Sequence, residues 1–240
     1  TRIEHDLLGE REVPAQRYFG IQTLRAVENF AISGITIAHY PRLIKSLAYI
    51  KKAAALTNQE LGLLDPKIAD AISRACDDIL AGSLLDEFVV DVIQGGAGTS
   101  TNMNANEVIA NRALELLGHE RGRYEVLHPL NHVNMSQSTN DVYPTALRLT
   151  LSQKLDGLMV EMTRLRDAFA RKADEFADVI KMGRTQLQDA VPMTLGQEFG
   201  AWATTITEDI QRVSEAQLLI REINMGATAI GTGLNSHPDY

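Results

Sequence analysis

Cysteine is almost absent: the chain of 240 residues holds one, Cys76. That excludes an internal disulfide framework and fits a reducing compartment. In a helical-looking segment, Cys76 reads as a small buried apolar residue. Aromatic side chains make up only 5%, and glycine and proline are sparse over most of the length. A sandwich of many short strands is therefore a poor fit. No block of five like charges occurs, and the net charge is −8 with a pI near 5.3. Neither a nucleic-acid groove nor an anionic membrane surface suits such a balance, so no nucleic-acid or membrane partner is expected. No apolar run approaches the roughly 20 residues that cross a bilayer, and the opening TRIEHDLLGERE is charged rather than signal-like. A soluble, cytoplasmic protein is expected. What is plentiful is apolar side chain, 45% of the residues, enough for one large or two modest domains built mainly of helices.

The opening, to about residue 40, mixes charges with Pro14, Gly20 and Gly34 and reads as an irregular arm with a short helix at 22–30. From Pro41, the residues Leu43, Leu47, Ile50, Ala54 and Leu61 keep helical spacing. A Gly62–Pro66 break separates them from a second helix at 66–81, so an αα-hairpin is expected. FVVDVI at 88–93 leads into a glycine bend, and the helix after it carries Val108, Leu114 and Leu117 before Gly118 closes it. Residues 119–139 are polar and irregular. From Tyr143 to Phe176, apolar residues recur every three or four positions, a rod on the order of 50 Å. A second run goes from Phe199 to Ile223, and VIKMGRTQLQDAVPM at 179–193 between them reads as a tight β-like excursion. Two such helices with narrow stripes cannot bury their apolar surface alone. The expected fold is mainly α: a helical N-terminal domain over 1–140, then the first part of a long-helix bundle domain over 141–240.

Three clusters carry chemistry. GGAGTSTNMNANE at 95–107 places a glycine bend before a helix start, where unpaired amides and the positive end of the dipole receive an anion. The Lys-Ser/Thr end of a P-loop is missing, and Thr101 stands where a dinucleotide fingerprint needs glycine. Thr99, Ser100, Thr101 and Asn102 suit a carboxylate better. HVNMSQSTNDVYP at 132–144 is a second helix mouth, with Ser138, Thr139, Asn140 and Asp141 as N-cap types and Pro144 suited to a first turn. GRTQLQD at 183–189 adds Thr185 and Gln186 as uncharged donors, with Arg184 read as an anchor for the bend. There is no cysteine–histidine metal pattern and no Ser-His-Asp arrangement. His128 and His132 share a helical spacing, but without an acidic third ligand they are weak evidence for metal. No metal or cofactor is expected, and a small organic anion is the expected ligand.

The blocks GGAGTSTNMNANEVIANRA (95–113), HVNMSQSTNDVYPTA (132–146), KMGRTQLQDAVPMTLGQEF (181–199) and GATAIGTGLN (226–235) resemble motifs of the aspartase/fumarase superfamily, and their wording is most similar to its aspartate ammonia-lyase branch. The resemblance runs from Ile3 to the end of the chain. It implies a homotetramer of long helices, each active site assembled from three subunits, that reversibly eliminates ammonia from L-aspartate to give fumarate through an aci-carboxylate intermediate. Carried over by position, Thr99, Ser138, Thr139, Asn140 and Thr185 would bind the carboxylates and amino group, with Gln186 beside them. His128 and Asn131 match a short hydratase motif for a secondary dicarboxylate site, which here reads HPLN. The family's base is a serine on a loop well downstream, followed by a lysine and an asparagine. The chain ends at Tyr240, about half the family's length, and Ser236 is not in the matching motif. No catalytic base is therefore expected within these residues, and the segment alone should not turn over. Two other readings stay open: a class II fumarate hydratase, and a non-catalytic helical structural relative. Hydratases carry a histidine where this chain has Gln186, which has no usable pKa near neutrality, and a structural relative could lose the donor clusters that this chain keeps.

Overall fold

A computed structural model describes all residues, 1–240. Their contacts divide the chain into two compact units, Thr1–Thr150 with Ile223–Tyr240, and Leu151–Glu222.

The first unit opens with strands β1 (Arg2–Asp6) and β2 (Gly9–Val13), paired antiparallel from Arg2 opposite Val13 to Asp6 opposite Gly9. This corrects the irregular arm expected there. The turn closes with the Leu8 amide donating to Asp6 Oδ1 at 2.9 Å, the self-capping that aspartate favours in turns. Helix α1 (Ile21–Asn29) follows. The αα-hairpin is present as α2 (Pro41–Glu60) and α3 (Pro66–Ala81). Asp65 caps α3 by accepting the Lys67 amide at 2.8 Å, and Gly82 ends it at φ 106°, a left-handed conformation that glycine adopts without a Cβ penalty.

The apolar piece before the glycine bend lies along the chain at 35–38, with the Ile37 amide donating to the Val90 carbonyl at 3.0 Å. Helix α4 (Thr99–Leu116) then runs through the core beside Ile44, Leu47, Ile72, Ile79 and Leu127, all fully buried. It is unusual in burying polar groups on most sides: Asn102, Asn104, Asn106, Glu107 and Asn111. The polar stretch after it contains one wide helical turn, Pro129–Val133.

Helix α5 (Thr139–Glu175) has 37 residues, about 55 Å at 1.5 Å per residue. Pro144 lies inside it, not in the first turn as expected. A proline has no amide for the carbonyl four residues back, and Asn224 Nδ2 takes that Asn140 carbonyl instead, at 3.1 Å.

The second unit holds the distal part of α5, the strands β3 (Ile180–Thr185) and β4 (Gln188–Thr194), and α6 (Leu195–Leu219). The β-like excursion is thus a two-stranded hairpin, irregular at Met182–Arg184. Thr194 and Gln197 form a reciprocal capping box at the start of α6. The helices run antiparallel: Phe169 meets Phe199 and Trp202 near the hairpin, and Gln217 Nε2 donates to the Ser152 carbonyl at 2.9 Å at the other end. A Cβ at Gly196 would stand 2.5 Å from the Ala173 carbonyl, so glycine is needed for this approach. Only Gly183, Gly196 and Gln217 are buried in this unit, while Leu158, Leu165, Trp202 and Leu219 stay exposed. No helix of the chain is long and apolar enough to cross a membrane.

Candidate active site

Gly98 starts α4 from φ 90°, and a Cβ there would stand 2.5 Å from the Tyr143 ring. Conformation and space both demand glycine. No side chain caps this N-cap position. Gln94 reaches one turn in, accepting the Thr101 amide and donating to Thr101 Oγ1, both at 2.9 Å. The Thr99 and Ser100 amides, which have no intrahelical partner, stay at the mouth. Thr101 and Asn102 do not face a ligand as expected; both are buried, Asn102 donating to Thr139 Oγ1 at 3.0 Å and to Asn134 Oδ1 at 3.1 Å.

At the start of α5, Ser138 and Asp141 both cap the first turn. The Ser138 amide donates to Asp141 Oδ1 at 2.9 Å, and Ser138 Oγ accepts the Asn140 amide at 3.2 Å. Asp141 is buried, and its other oxygen accepts the Thr228 amide at 2.9 Å, which ties the GATAIGTGLN segment to this mouth. Asn140 Nδ2 donates to the Ala229 carbonyl at 2.7 Å. These bonds have a chemical consequence. Ser138 Oγ and Thr139 Oγ1 are each already accepting, so their hydroxyl hydrogens are left to donate, whereas Asn140 uses one amide hydrogen on Ala229 and keeps its oxygen as an acceptor.

A cleft of about 330 Å³ is lined by Gln94, Gly96 and Gly98 ahead of α4 and by Asn140, Tyr143 and Pro144 of α5. Thr99 is exposed and lines a larger cleft of about 680 Å³ with Met103, Glu107, Tyr124 and His128. Thr185 and Gln186 belong to the second unit, at the exposed tip of the β3–β4 hairpin. That turn has Gln186 at φ 48° and Leu187 at φ 69°, a two-residue connection of a kind that asparagine and glycine normally fill. Arg184 pairs across the hairpin with Asp189 at 3.5 Å, both exposed.

Several buried ionisable groups have no role in the sequence reading, Lys51 and Glu107 being the most deeply buried of them. Lys51 is fully buried, and its Nζ donates to Asn134 Oδ1 at 2.8 Å and Gln137 Oε1 at 2.9 Å. Burial pulls its ammonium down to about 7, against the opposing charge of Asp141. Its position four residues after Leu47, on the buried stripe of α2, was the available signal. Glu107 accepts the Gly20, Gln22 and Thr23 amides at the start of α1, at 2.8–3.0 Å. Burial, aided by the charge of Glu4, nevertheless pushes it up to about 7. The two histidines serve the local backbone: His128 Nδ1 accepts the Leu130 amide and His132 Nδ1 accepts the His128 amide.

A family model described as a lyase matches residues 9–240. The chain belongs to this lyase family. The aspartate ammonia-lyase of Helicobacter pylori is 59% identical over 239 residues, covering 100% of this chain and 51% of that protein. Among solved structures, a Brucella melitensis protein titled fumarate lyase:delta crystallin, bound to cobalt, superposes with a TM-score of 0.95 at 59% identity, over 100% of this chain and 52% of that one. A class II fumarase from Schistosoma mansoni superposes with a TM-score of 0.93 at 39% identity, over 99% of this chain and 50% of that one. The aspartase/fumarase superfamily named by the motifs is thus the lyase family found, and the chain spans about half the length of the curated relatives it matches.

Proposed function

We propose that the full-length protein carrying this lyase-family chain eliminates ammonia from L-aspartate to give fumarate, and that this chain supplies the carboxylate-binding part of the site. The observation that carries the reading is the α5 mouth, where Ser138 and Thr139 hold fixed hydroxyl donors beside first-turn amides. Removing a proton from the carbon beside a carboxylate puts a second negative charge on that carboxylate. Donors fixed before the reaction stabilise that dianion more than they stabilise the ground state. The dianion then forms the carbon–carbon double bond and expels the amino group. An ammonium leaves directly as neutral ammonia, so no general acid is needed at Gln186, whereas departure of hydroxide from malate calls for one.

In this reading Thr99, Thr185 and Gln186 complete the donor set in a homotetramer, and the base comes from sequence outside these residues. Residues 1–140 form the N-terminal domain, 141–240 begin the bundle, and the enzyme is cytoplasmic. The Asn140 oxygen, left as an acceptor, suits the substrate ammonium. Ammonia release and fumarate formation from L-aspartate, compared with malate, test the reaction on the full-length protein. Gln186→His should alter affinity for aspartate without conferring malate dehydration; strong malate activity in that variant overturns the role given to Gln186.

A further inference from the structure

The buried polar groups beneath the α5 mouth form one connected path. Lys51 Nζ donates to Asn134 Oδ1, and the same oxygen accepts from Asn102 Nδ2 at 3.1 Å and Asn106 Nδ2 at 3.3 Å. Asn102 then donates to Thr139 Oγ1 at 3.0 Å. Four helical segments contribute: α2, α4, the turn at 129–133 with the residues after it, and α5. Every member is half-buried or buried, and the Asn102 and Asn106 oxygens have no partner at all. Leaving buried carbonyl oxygens unpaired is costly. What holds both amides in this orientation is that their NH2 groups point at an oxygen already polarised by an ammonium.

We infer that Lys51 is a positioning residue for the dicarboxylate mouth: its buried ammonium, acting through Asn134 and Asn102, fixes Thr139 as a donor and supplies positive charge behind the α5 N-terminus. This rests on the dicarboxylate reading above. Two effects follow from the geometry. Asn102 keeps the Thr139 oxygen occupied, so its hydroxyl hydrogen is directed outward. The ammonium adds to the helix-terminal dipole in a water-poor setting, where a charge acts over longer distances than at the surface. The charged or titratable groups that face Lys51 are Asp141 from α5 and Cys76 from α3. The α4 helix and the segment after the 129–133 turn offer it only amides. Asp141 favours the ammonium, and burial opposes it, so Lys51 loses its proton close to neutrality and the mouth loses a charge.

The test measures binding of succinate, a four-carbon dicarboxylate that cannot undergo elimination, to the full-length protein by calorimetry between about pH 6.5 and 8.5. Wild type should lose roughly tenfold in affinity across that range as the ammonium deprotonates. Lys51→Arg, charged throughout, should bind succinate with little pH dependence, and Lys51→Met should bind about tenfold more weakly at the acidic end, also without the slope. The wild-type titration needs no substitution, so a misfolded variant does not block the test. A flat wild-type profile, or a folded Lys51→Met protein with wild-type affinity and slope, overturns the role of Lys51 while leaving the dicarboxylate site standing. Absence of succinate binding at every pH overturns the dicarboxylate reading itself, and this inference with it.

Discussion

The two units of this chain solve opposite problems. The first closes a core of Ile44, Leu47, Ile72, Ile109 and Leu114 and then buries Lys51, Asn102, Asn106, Glu107 and Asp141 within it. The second leaves Leu158, Leu165, Trp202 and Leu219 in the open and is held by the Phe169–Phe199–Trp202 contacts, a capping box and surface ion pairs. Burying polar groups is expensive unless each is satisfied, and a fold that does so beside a helix mouth has traded stability for fixed donors. Exposed apolar stripes waste the hydrophobic term unless other helices cover them. The lesson is that the first unit spends its packing on holding polar groups in place, whereas the second leaves an apolar stripe that its own residues do not cover.

The strongest way to break this comparison is at the α5 mouth. Ser138→Ala removes a fixed donor while leaving the fold to Asp141 and the core, and should lower kcat/KM for L-aspartate roughly 100- to 1,000-fold in the full-length enzyme, the usual consequence of losing one such donor. Steady-state kinetics read it directly. A loss below about threefold would mean that the hydroxyl is a helix cap only, worth about 1 kcal/mol of stability and nothing to catalysis.

Next in size is Gly98→Ala. The φ of 90° and the 2.5 Å approach to the Tyr143 ring combine a left-handed penalty with overpacking, together about 2–4 kcal/mol. Urea denaturation should show a lowered midpoint with the slope unchanged. The same change at Gly157, which has open space around its Cβ in mid-helix, should stabilise slightly instead.

Glu107 sharpens the comparison through pH. Its folded pKa is raised to about 7 above an unfolded value of about 4.3, so the native state keeps a proton that the unfolded chain has lost. The stability it contributes is fully present below about pH 4.3 and is lost as pH rises through about 7, at up to about 1.4 kcal/mol per unit. Lys51 runs the other way: lowered to about 7 from about 10.4, it lets stability climb again above neutrality. Urea midpoints across this range should therefore dip near neutral pH, and Glu107→Gln should flatten the acidic limb. An unchanged acidic limb in that variant would place the proton elsewhere.

Much of this was legible in the sequence, and the illegible part has a common cause. The αα-hairpin, the long rod and the second run showed themselves because apolar residues kept the helical period. The glycine bend and the Ser138–Asn140 cluster showed themselves because cap chemistry is local. The β1–β2 hairpin did not, since its alternation is carried by charged residues and its inward side chain in β1 is Glu4. Lys51 went unnoticed and Asn102 was read as a ligand donor rather than a buried link, because what a polar side chain on a buried stripe bonds to depends on partners 83 and 32 residues away in the chain. Thr101 and Pro144 were misplaced for a related reason: the Gln94 side chain and the Asn224 amide supply bonds that no local pattern announces.

The smallest effect belongs to the second unit. Arg212 bonds Asp209 at 2.7 Å and Glu208 at 3.0 Å, and all three side chains are exposed. Such pairs return little, because water screens the attraction and ordering long side chains costs entropy. Arg212→Ala should thus change the unfolding free energy from urea denaturation by less than about 0.5 kcal/mol, and what change there is should vanish in molar salt. A larger, salt-resistant loss would mean that α6 depends on its charged face rather than on the apolar stripe it exposes. The second unit would then be a self-supporting element, and the contrast between a closed core and an uncovered apolar stripe would fail at its weaker end.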